Sequence, residues 1–347
     1  MAVFFGVDSH KRSLAVSAVD QVGRELARAE FPNTRDGHRS LLAWALEHDD
    51  PCRFGVEGSG GLGRALAQEM LRAGVEVVDV PGALTDRERR RLVRKGKSDP
   101  QDALAIARVT LRETTLEPLT PDGAARGLKL LCDYREQLCS ERTRAQNRLH
   151  ADLVVLAPGY EKTCPNLIAK RHLEAAARVL RGLGGVQAEL ARKRLRGLHR
   201  LDREINQLET RIETLVAQSG SQLTSLVGIG PLGAARVLGD VRDIRRYANK
   251  DRFASANGTA PIPASSGAVQ RHRLNRGGNR RLNRVIHTMA LVQIRCDPRA
   301  RAYIERRRAE GKTYRDAIRS LKRHLSDVIY KQLRDDALAA HTIPLDR

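Results

Sequence analysis

The sequence predicts an α/β domain joined to a long helical remainder, and three observations carry that expectation. In the first third, short apolar runs bounded by turn residues alternate with helical patterns. In the middle, Leu198, Leu201, Ile205, Leu208, Ile212 and Leu215 alternate spacings of three and four, the a/d seam of a coiled coil. In the last third, an irregular stretch of small residues precedes an arginine-rich segment and a helix expected over residues 317–333.

Taken in order, residues 2–7 are an apolar run, 13–19 alternate apolar and small polar residues, and 25–31 do so more weakly. Three strands joined by tight turns therefore open the chain. Asn33 or Thr34 is placed to cap a helix through 40–46. The apolar run 54–56 leads into Glu57 and a glycine-rich turn, followed by a helix over 62–72. Residues 75–80 form the next strand, closed by Pro81 and Gly82. Three consecutive strands followed by helix–strand–helix–strand–helix is the order of a ribonuclease-H-like domain. A doubly wound dinucleotide fold alternates strand and helix from its start. The expected organisation is a catalytic α/β domain over 1–118, a helical coiled-coil region over 119–219 and a mostly helical C-terminal domain over 220–347. The seam needs a mate, either a helix expected over 128–156, ended by Pro158 and Gly159, or a second subunit. In 223–241, Val227-Gly228-Ile229-Gly230 lies between two helical stretches. It fits a helix-hairpin-helix turn aimed at a phosphate, or a tight turn with no ligand.

Composition narrows the function. Lys plus Arg number 62 against 41 Asp plus Glu, a formal net charge of +21, which attracts polyanions such as nucleic acid. The 41% hydrophobic content supports a folded core, and 3% aromatics argue against stacking of unpaired bases on rings. Cys52, Cys132, Cys139, Cys164 and Cys296 form no CxxC pair, which points to reduced thiols rather than zinc or disulfide scaffolds. No apolar run approaches the ~18–20 residues of a membrane span, and the first residues lack the pattern of a signal peptide. The expectation is a cytoplasmic, nucleoid-associated protein with no membrane partner.

Four acids stand where such a domain places a metal site. Asp8 ends the first strand, Glu57 ends the strand 54–56, and Asp99 and Asp102 open a helix over 100–109 on one face. Clustered carboxylates suit hard ions that keep positions open for phosphate oxygens: Mg²⁺, as two ions, with Mn²⁺ as a substitute. The structural alternative is that Asp99 caps the helix and Asp102 favours its dipole. Gly58-Ser59-Gly60-Gly61-Leu62-Gly63 satisfies G-x-G-x-x-G with Asp79 at the next strand end. It lies on the fourth strand, however, and Glu57 would face a pyrophosphate, so close backbone packing explains these glycines better. Arg87, Arg89, Arg90, Arg91, Arg94, Lys95 and Lys97 lead into the acid pair and are expected to line a groove for a phosphate backbone. Ahead of the second basic stretch, Arg271, Arg273, Arg276, Arg280, Arg281 and Arg284, the loop through Ser265 and Ser266 offers a hydroxyl that can attack a phosphodiester, or is an ordinary polar loop.

Together, Gly6-Val7-Asp8, Phe54-Gly55-Val56-Glu57-Gly58, Gly96-Lys97-Ser98-Asp99-Pro100-Gln101-Asp102 and the block from Phe253 through Ser266-Gly267 to Asn279 resemble the transposases of insertion-sequence family 110 and the related Piv-type DNA invertases. The resemblance spans nearly the whole chain. It implies a RuvC-like domain whose metal tetrad is Asp8, Glu57, Asp99 and Asp102, a coiled coil, and a C-terminal transposase domain whose nucleophile is Ser266. It also implies a structured bridge RNA, encoded by the element, that pairs with target and donor DNA. The two half-sites lie in different domains, so an oligomer, a dimer or a tetramer on DNA, is expected to bring them together. Three other classes use parts of the pattern. A Holliday-junction-resolving nuclease would use the tetrad with water, and an actin-like ATPase would share the strand order. A chromosome-binding protein would need only the charge.

Overall fold

The computed structural model describes residues 2–48, 51–90, 99–263, 272–273, 275 and 277–342. They fall into two compact units, Met1–Asp122 and Gly123–Arg347.

The first unit runs β1 (Val3–Ser9), β2 (Ser13–Val19), β3 (Glu25–Pro32), α1 (Arg35–Leu46), β4 (Pro51–Val56), α2 (Arg64–Arg72), β5 (Val77–Asp79), α3 (Gly82–Arg89), α4 (Asp99–Arg112) and β6 (Glu117–Pro118). Its sheet has the order β3-β2-β1-β4-β5-β6. β1 is antiparallel to β2 and parallel to β4, and β4 is parallel to β5. The first five strands reproduce the ribonuclease-H-like order expected from the sequence. The two-residue β6, antiparallel on β5, has no apolar alternation to announce it. The central strands are buried because Val3, Phe5, Val7, Phe54 and Val56 are apolar, and Phe5 stacks on Phe54 at 4.5 Å. Edge strand β3 alternates half-buried and exposed residues, as a half-solvated strand must. Thr34 caps α1 by accepting from the Gly37 amide at 3.2 Å.

Helix α4 crosses the central strands at unusually short range. A Cβ on Gly6 would lie 2.1 Å from the Ala107 nitrogen, and one on Gly55 would lie 1.8 Å from Thr110 Oγ1. Both positions therefore need glycine for close approach.

The second unit is helical. It contains α5 (Ala124–Leu156), α6 (Lys170–Arg181), α7 (Gly185–Gln218), α8 (Pro231–Val241), α9 (Lys250–Ala256), the hairpin β7 (Ile262–Pro263) and β8 (His272–Arg273), α10 (Arg280–Cys296), α11 (Pro298–Ala309) and α12 (Tyr314–Thr342). α5 and α7 are antiparallel: Asp152 pairs with Arg194, Asp202 with Arg142, and Glu209 Oε1 accepts from Arg135 Nε at 2.7 Å. Between them Leu138 packs with Leu201 and Ile205. The upstream helix of this same chain thus covers this part of the seam. Leu201→Asp places a charge in that contact at a cost of several kcal/mol. It is expected to lower the thermal midpoint while the mass in solution stays constant; a shift to smaller species would mean that a second subunit also uses the seam.

The stretch that fits a helix-hairpin-helix turn has a short first element. Only a 3₁₀ turn, Gln222–Ser225, precedes the glycines, and α8 follows with Pro231 in its first turn. Gly228 has φ +92°, and a Cβ there would lie 2.9 Å from the Met289 carbonyl oxygen of α10. Gly228 thus admits the close approach of α10, whereas a Cβ on Gly230 would meet nothing within 4 Å.

Candidate functional site

Period-2 geometry places the first acids. Gly6 and Asp8 lie two apart on β1, so they share the face that α4 covers. Gly55 on β4 and Glu57 just after its end repeat the spacing, and the Glu57 amide still bonds to the Val7 carbonyl at 3.1 Å. Each acid follows by two residues a glycine that admits α4. The helix carries Asp102 next to Ala103, whose carbonyl lies against Gly6. Asp8 and Glu57 thus lie at the C-terminal ends of two parallel neighbouring strands, and Asp102 lies in the first turn of the helix packed on them. β1 extends to Ser9, so Asp8 is paired with Ala15 inside the strand rather than ending it. Asp99 is the first residue of α4, and its side chain lies outside the described residues.

The acids have present partners. Asp8 Oδ2 lies 3.2 Å from His10 Nε2. The Glu57 carboxylate lies against Gly82 at the start of α3, where a Cβ would stand 2.8 Å from Oε1. Asp102, 5% exposed, accepts from Arg89 Nη1 at 2.7 Å. Arg89 also pairs with Asp86. The hydrogen bond to Asp102, with the nearby charges of Asp102, Asp86 and Glu57, holds the Arg89 guanidinium above its usual range. Arg89 thus turns toward Asp102 and Asp86 in this structure, rather than standing free on an expected phosphate groove. Sequence reasoning missed this pairing because the partner is thirteen residues away on another helix. Arg87 and Arg90 are exposed, whereas Arg91, Arg94, Lys95 and Lys97 lie outside the described residues.

Among the described residues no three His, Cys, Asp or Glu side chains form a group that could hold one ion. That search does not include the Asp99 side chain. The donor set itself fits a hard divalent cation: it is all carboxylate oxygen, and the burial of Asp102 demands a positive partner, met here by Arg89. In the glycine-rich turn Gly58, Gly60 and Gly61 are exposed, and only Gly63 is tightly packed, which corrects the expectation that close backbone packing explains all of these glycines. Gly58 has φ +71°, a Cβ on Gly63 would lie 2.6 Å from Ser9 Oγ, and Ser59 donates to Asp79. The sheet order, with the turn after β4 rather than after a first strand of a doubly wound sheet, is not that of a dinucleotide-binding fold.

In the second unit, Ile262 pairs with Arg273 and Pro263 with His272. Ser265, Ser266, Arg271 and Arg276 fall outside the described residues. The chain on either side is pinned by small residues: a Cβ on Gly278 would lie 2.4 Å from the Gly258 nitrogen, and Gly258 has φ +74°. Buried Asn257 donates to Ser326 Oγ at 2.8 Å and accepts at its carbonyl from Asn283 Nδ2 at 3.0 Å. Asn283 Oδ1 in turn accepts from Lys322 Nζ at 2.5 Å. Arg273 and Arg280 are exposed. Arg281 pairs with Asp133 at 3.1 Å and Glu136 at 2.9 Å, and Arg284 with Glu136 at 3.0 Å.

A ribonuclease-H-like sheet with acids at its strand ends, on a chain of net charge +21, is the build of an enzyme that works on nucleic-acid phosphodiesters. Two family models, the DEDD transposase model of IS110 type and the transposase model of the IS116/IS110/IS902 family, match residues 5–158 and 220–305, and the chain belongs to this transposase family. It is accordingly a DNA transposase, an enzyme of strand cleavage and rejoining, and the family's DEDD acids imply divalent-metal dependence. The chain is 26% identical to the 42 kDa protein of insertion element IS900 of Mycobacterium paratuberculosis, over 97% of this chain and 96% of the relative. It is 26% identical to the 44.8 kDa protein of insertion element IS116 of Streptomyces clavuligerus, over 99% and 97%. With the transposase for insertion sequence element IS1328 of Yersinia enterocolitica the identity is 24%, over 93% and 91%. Thermus-type RuvC, solved as "T. thermophilus RuvC in complex with Holliday junction substrate", overlaps 34% of this chain and 100% of its own at 19% identity and a TM-score of 0.28; the fold assignment rests on the strand order instead. Among the described residues no helix is long and apolar enough to cross a membrane.

Proposed function

We propose that this transposase cuts and rejoins DNA through Ser266, with Asp8, Glu57, Asp99 and Asp102 as the ligands of Mg²⁺. The observation that supports the reading is the close approach of α4, which carries buried Asp102, to Gly6 and Gly55, each two residues before an acid, Asp8 and Glu57. Bound Mg²⁺ would polarise the scissile phosphate and offset the charge that builds on it. Arg89 neutralises Asp102 in the free protein and lessens repulsion between the acids. Ser266 Oγ forms a bond to phosphorus as the phosphorus–oxygen bond to the departing strand breaks. The hydroxyl proton goes to a base, and the departing oxygen takes up a proton to become a free hydroxyl. The phosphoserine link conserves the ester, so strands can be exchanged and rejoined.

The functional domains in this reading are 1–118, 119–219 as a coiled-coil arm, and 220–347, in an oligomer that unites acids and serine. A bridge RNA reading both DNAs by base pairing accords with a chain rich in arginine and with 3% aromatic residues, since the protein then holds shape and backbone. The test is whether DNA becomes covalently attached to the protein. The basic segment ahead of α4 gives a separate expectation. On duplex DNA, Arg87→Ala with Arg90→Ala should make the salt dependence of log K shallower by about 0.9 for each phosphate the protein no longer neutralises. Arg89→Ala, already engaged with acids, should leave that slope unchanged. Binding isotherms at several salt concentrations check both.

A further inference from the structure

Lys322 is a buried cation that no carboxylate pairs with among the described residues. It is 8% exposed on α12, at the place where the helical period of Ile318, Leu321 and Leu325 calls for an apolar side chain. Its one hydrogen bond is to the neutral amide oxygen of Asn283, at 2.5 Å. Among the described residues no salt bridge reaches it. The charges acting on it are cationic: Arg280 on α10 and Arg319 one turn earlier on its own helix. His287 of α10 stands close enough for Lys322 to depress its protonation, after burial. Burial first, then Arg280 and Arg319, push the Lys322 ammonium down to about 8.

Two cavities meet at this residue. One, of 860 Å³, has Lys322, Arg273, Arg307, Arg319 and Arg323 in its wall together with Thr259 and Pro261. Its carboxylate, Asp316, is already held by Arg319 at 2.8 Å and by Thr313 at 2.6 Å. The other, of 420 Å³, is lined by Arg280, Arg284 and His287 from α10 and Arg315 and Arg319 from α12. An uncompensated buried charge is costly, and a cavity ringed by guanidinium groups with one occupied acid raises that cost further. An anion entering the cavity relieves both.

We propose that the larger cavity is a binding site for a DNA phosphodiester, with Lys322 at its base as a charge-stabilising, positioning residue. The inference rests on DNA being the substrate and is independent of which atom attacks it. Pro261 and Arg273 both line the cavity; Pro261 precedes β7 and Arg273 lies in β8, the two strands between which Ser266 lies in sequence. A phosphate seated there would contact residues that border, in sequence, the segment holding the proposed nucleophile. The Asn257–Asn283–Lys322 hydrogen bonds tie the lysine to the start of that loop.

The experiment compares the full chain with Lys322→Met and Lys322→Arg, using a short DNA duplex and a short RNA duplex as probes. Titration calorimetry at about pH 8, in buffers of different ionisation enthalpy, should show DNA binding by the parent with uptake of about half a proton, because the phosphate restores a group that is half neutral there. Both variants should lose that uptake. Lys322→Met should also bind DNA with a log K salt slope shallower by about 0.9, and its thermal midpoint at neutral pH should rise. The linkage has a definite sign. The unfolded lysine binds its proton up to about 10.5 and the folded one only to about 8. The parent therefore gains stability as pH rises through that window, and the variant lacks this gain. Unchanged uptake in both variants would overturn the site. So would a Lys322→Met chain that is less stable but has an unaltered salt slope, because that is the behaviour of a structural lysine. Uptake with RNA but none with DNA would overturn the choice of DNA. None of these readouts requires cleavage, so the site and the serine mechanism fail separately.

Discussion

Asp102→Asn is expected to abolish strand cleavage while leaving the fold and nucleic-acid binding in place. The substitution keeps the shape of a side chain that is 5% exposed and can still accept from Arg89. It removes the negative charge that a divalent ion requires. Metal stabilisation of a phosphoryl transition state is worth several kcal/mol, and each 1.36 kcal/mol is tenfold in rate, so a loss of roughly 10³-fold is expected. Binding should persist because the net charge of +21 spreads phosphate contacts over many residues. Asp8→Asn should behave alike, since Asp8 lies on the face of β1 that α4 covers, two residues from Gly6. Arg89→Ala supplies the contrast. It removes the cation on Asp102 without removing a ligand, so it should retain cleavage and shift its metal dependence. Cleavage, unmodified DNA affinity and thermal midpoint are measured together in Mg²⁺. Full cleavage by either Asn variant would falsify the metal assignment.

The sheet was legible because strand alternation in 13–19 and the apolar cores of 2–7 and 54–56 are local signals. The observed β2 has the bounds that its alternation gives. Strand ends were less legible: β1 continues through Asp8 because pairing with β2, not hydropathy, decides where it stops. The acids could be found from strand order, and the glycines two residues before Asp8 and Glu57 are the physical sign that a helix approaches. Arg89 looked like one more cation in a basic run, since no local periodicity links it to Asp102. The apolar stripe of α7 is legible in the sequence, but only the structure shows that Leu138 of α5 packs on Leu201 and Ile205 of that stripe. α11 escaped notice because it is dominated by arginine and shows little apolar stripe. The glycines at 228 and 230 were ambiguous, because a turn for phosphate and a turn for close packing use the same residue. Lys322 left one sign in the sequence, a charged residue inside an apolar helical stripe, and that sign has meaning only with the cavity beside it.

Ser266→Ala is expected to bind metal, DNA and guide RNA yet form no protein–DNA adduct and no recombinant product. A hydroxyl attached to phosphorus cannot be replaced by water without changing the product: water leaves a free phosphate end, whereas serine keeps the ester for rejoining. Loss of the nucleophile should therefore remove the adduct altogether rather than slow it. Gly267 follows the serine, which lets backbone and phosphate approach closely, and arginines downstream can offset charge on the phosphate. Ser265→Ala should be much milder, because the motif places the nucleophile immediately before the glycine. Denaturing electrophoresis of end-labelled DNA with each variant, followed by peptide mapping of the adduct, decides the matter. An adduct retained by Ser266→Ala and lost by Ser265→Ala moves the nucleophile by one residue. Cut DNA without an adduct in the unmodified chain would give the reaction to water and make the enzyme a metal-dependent nuclease on the same acids.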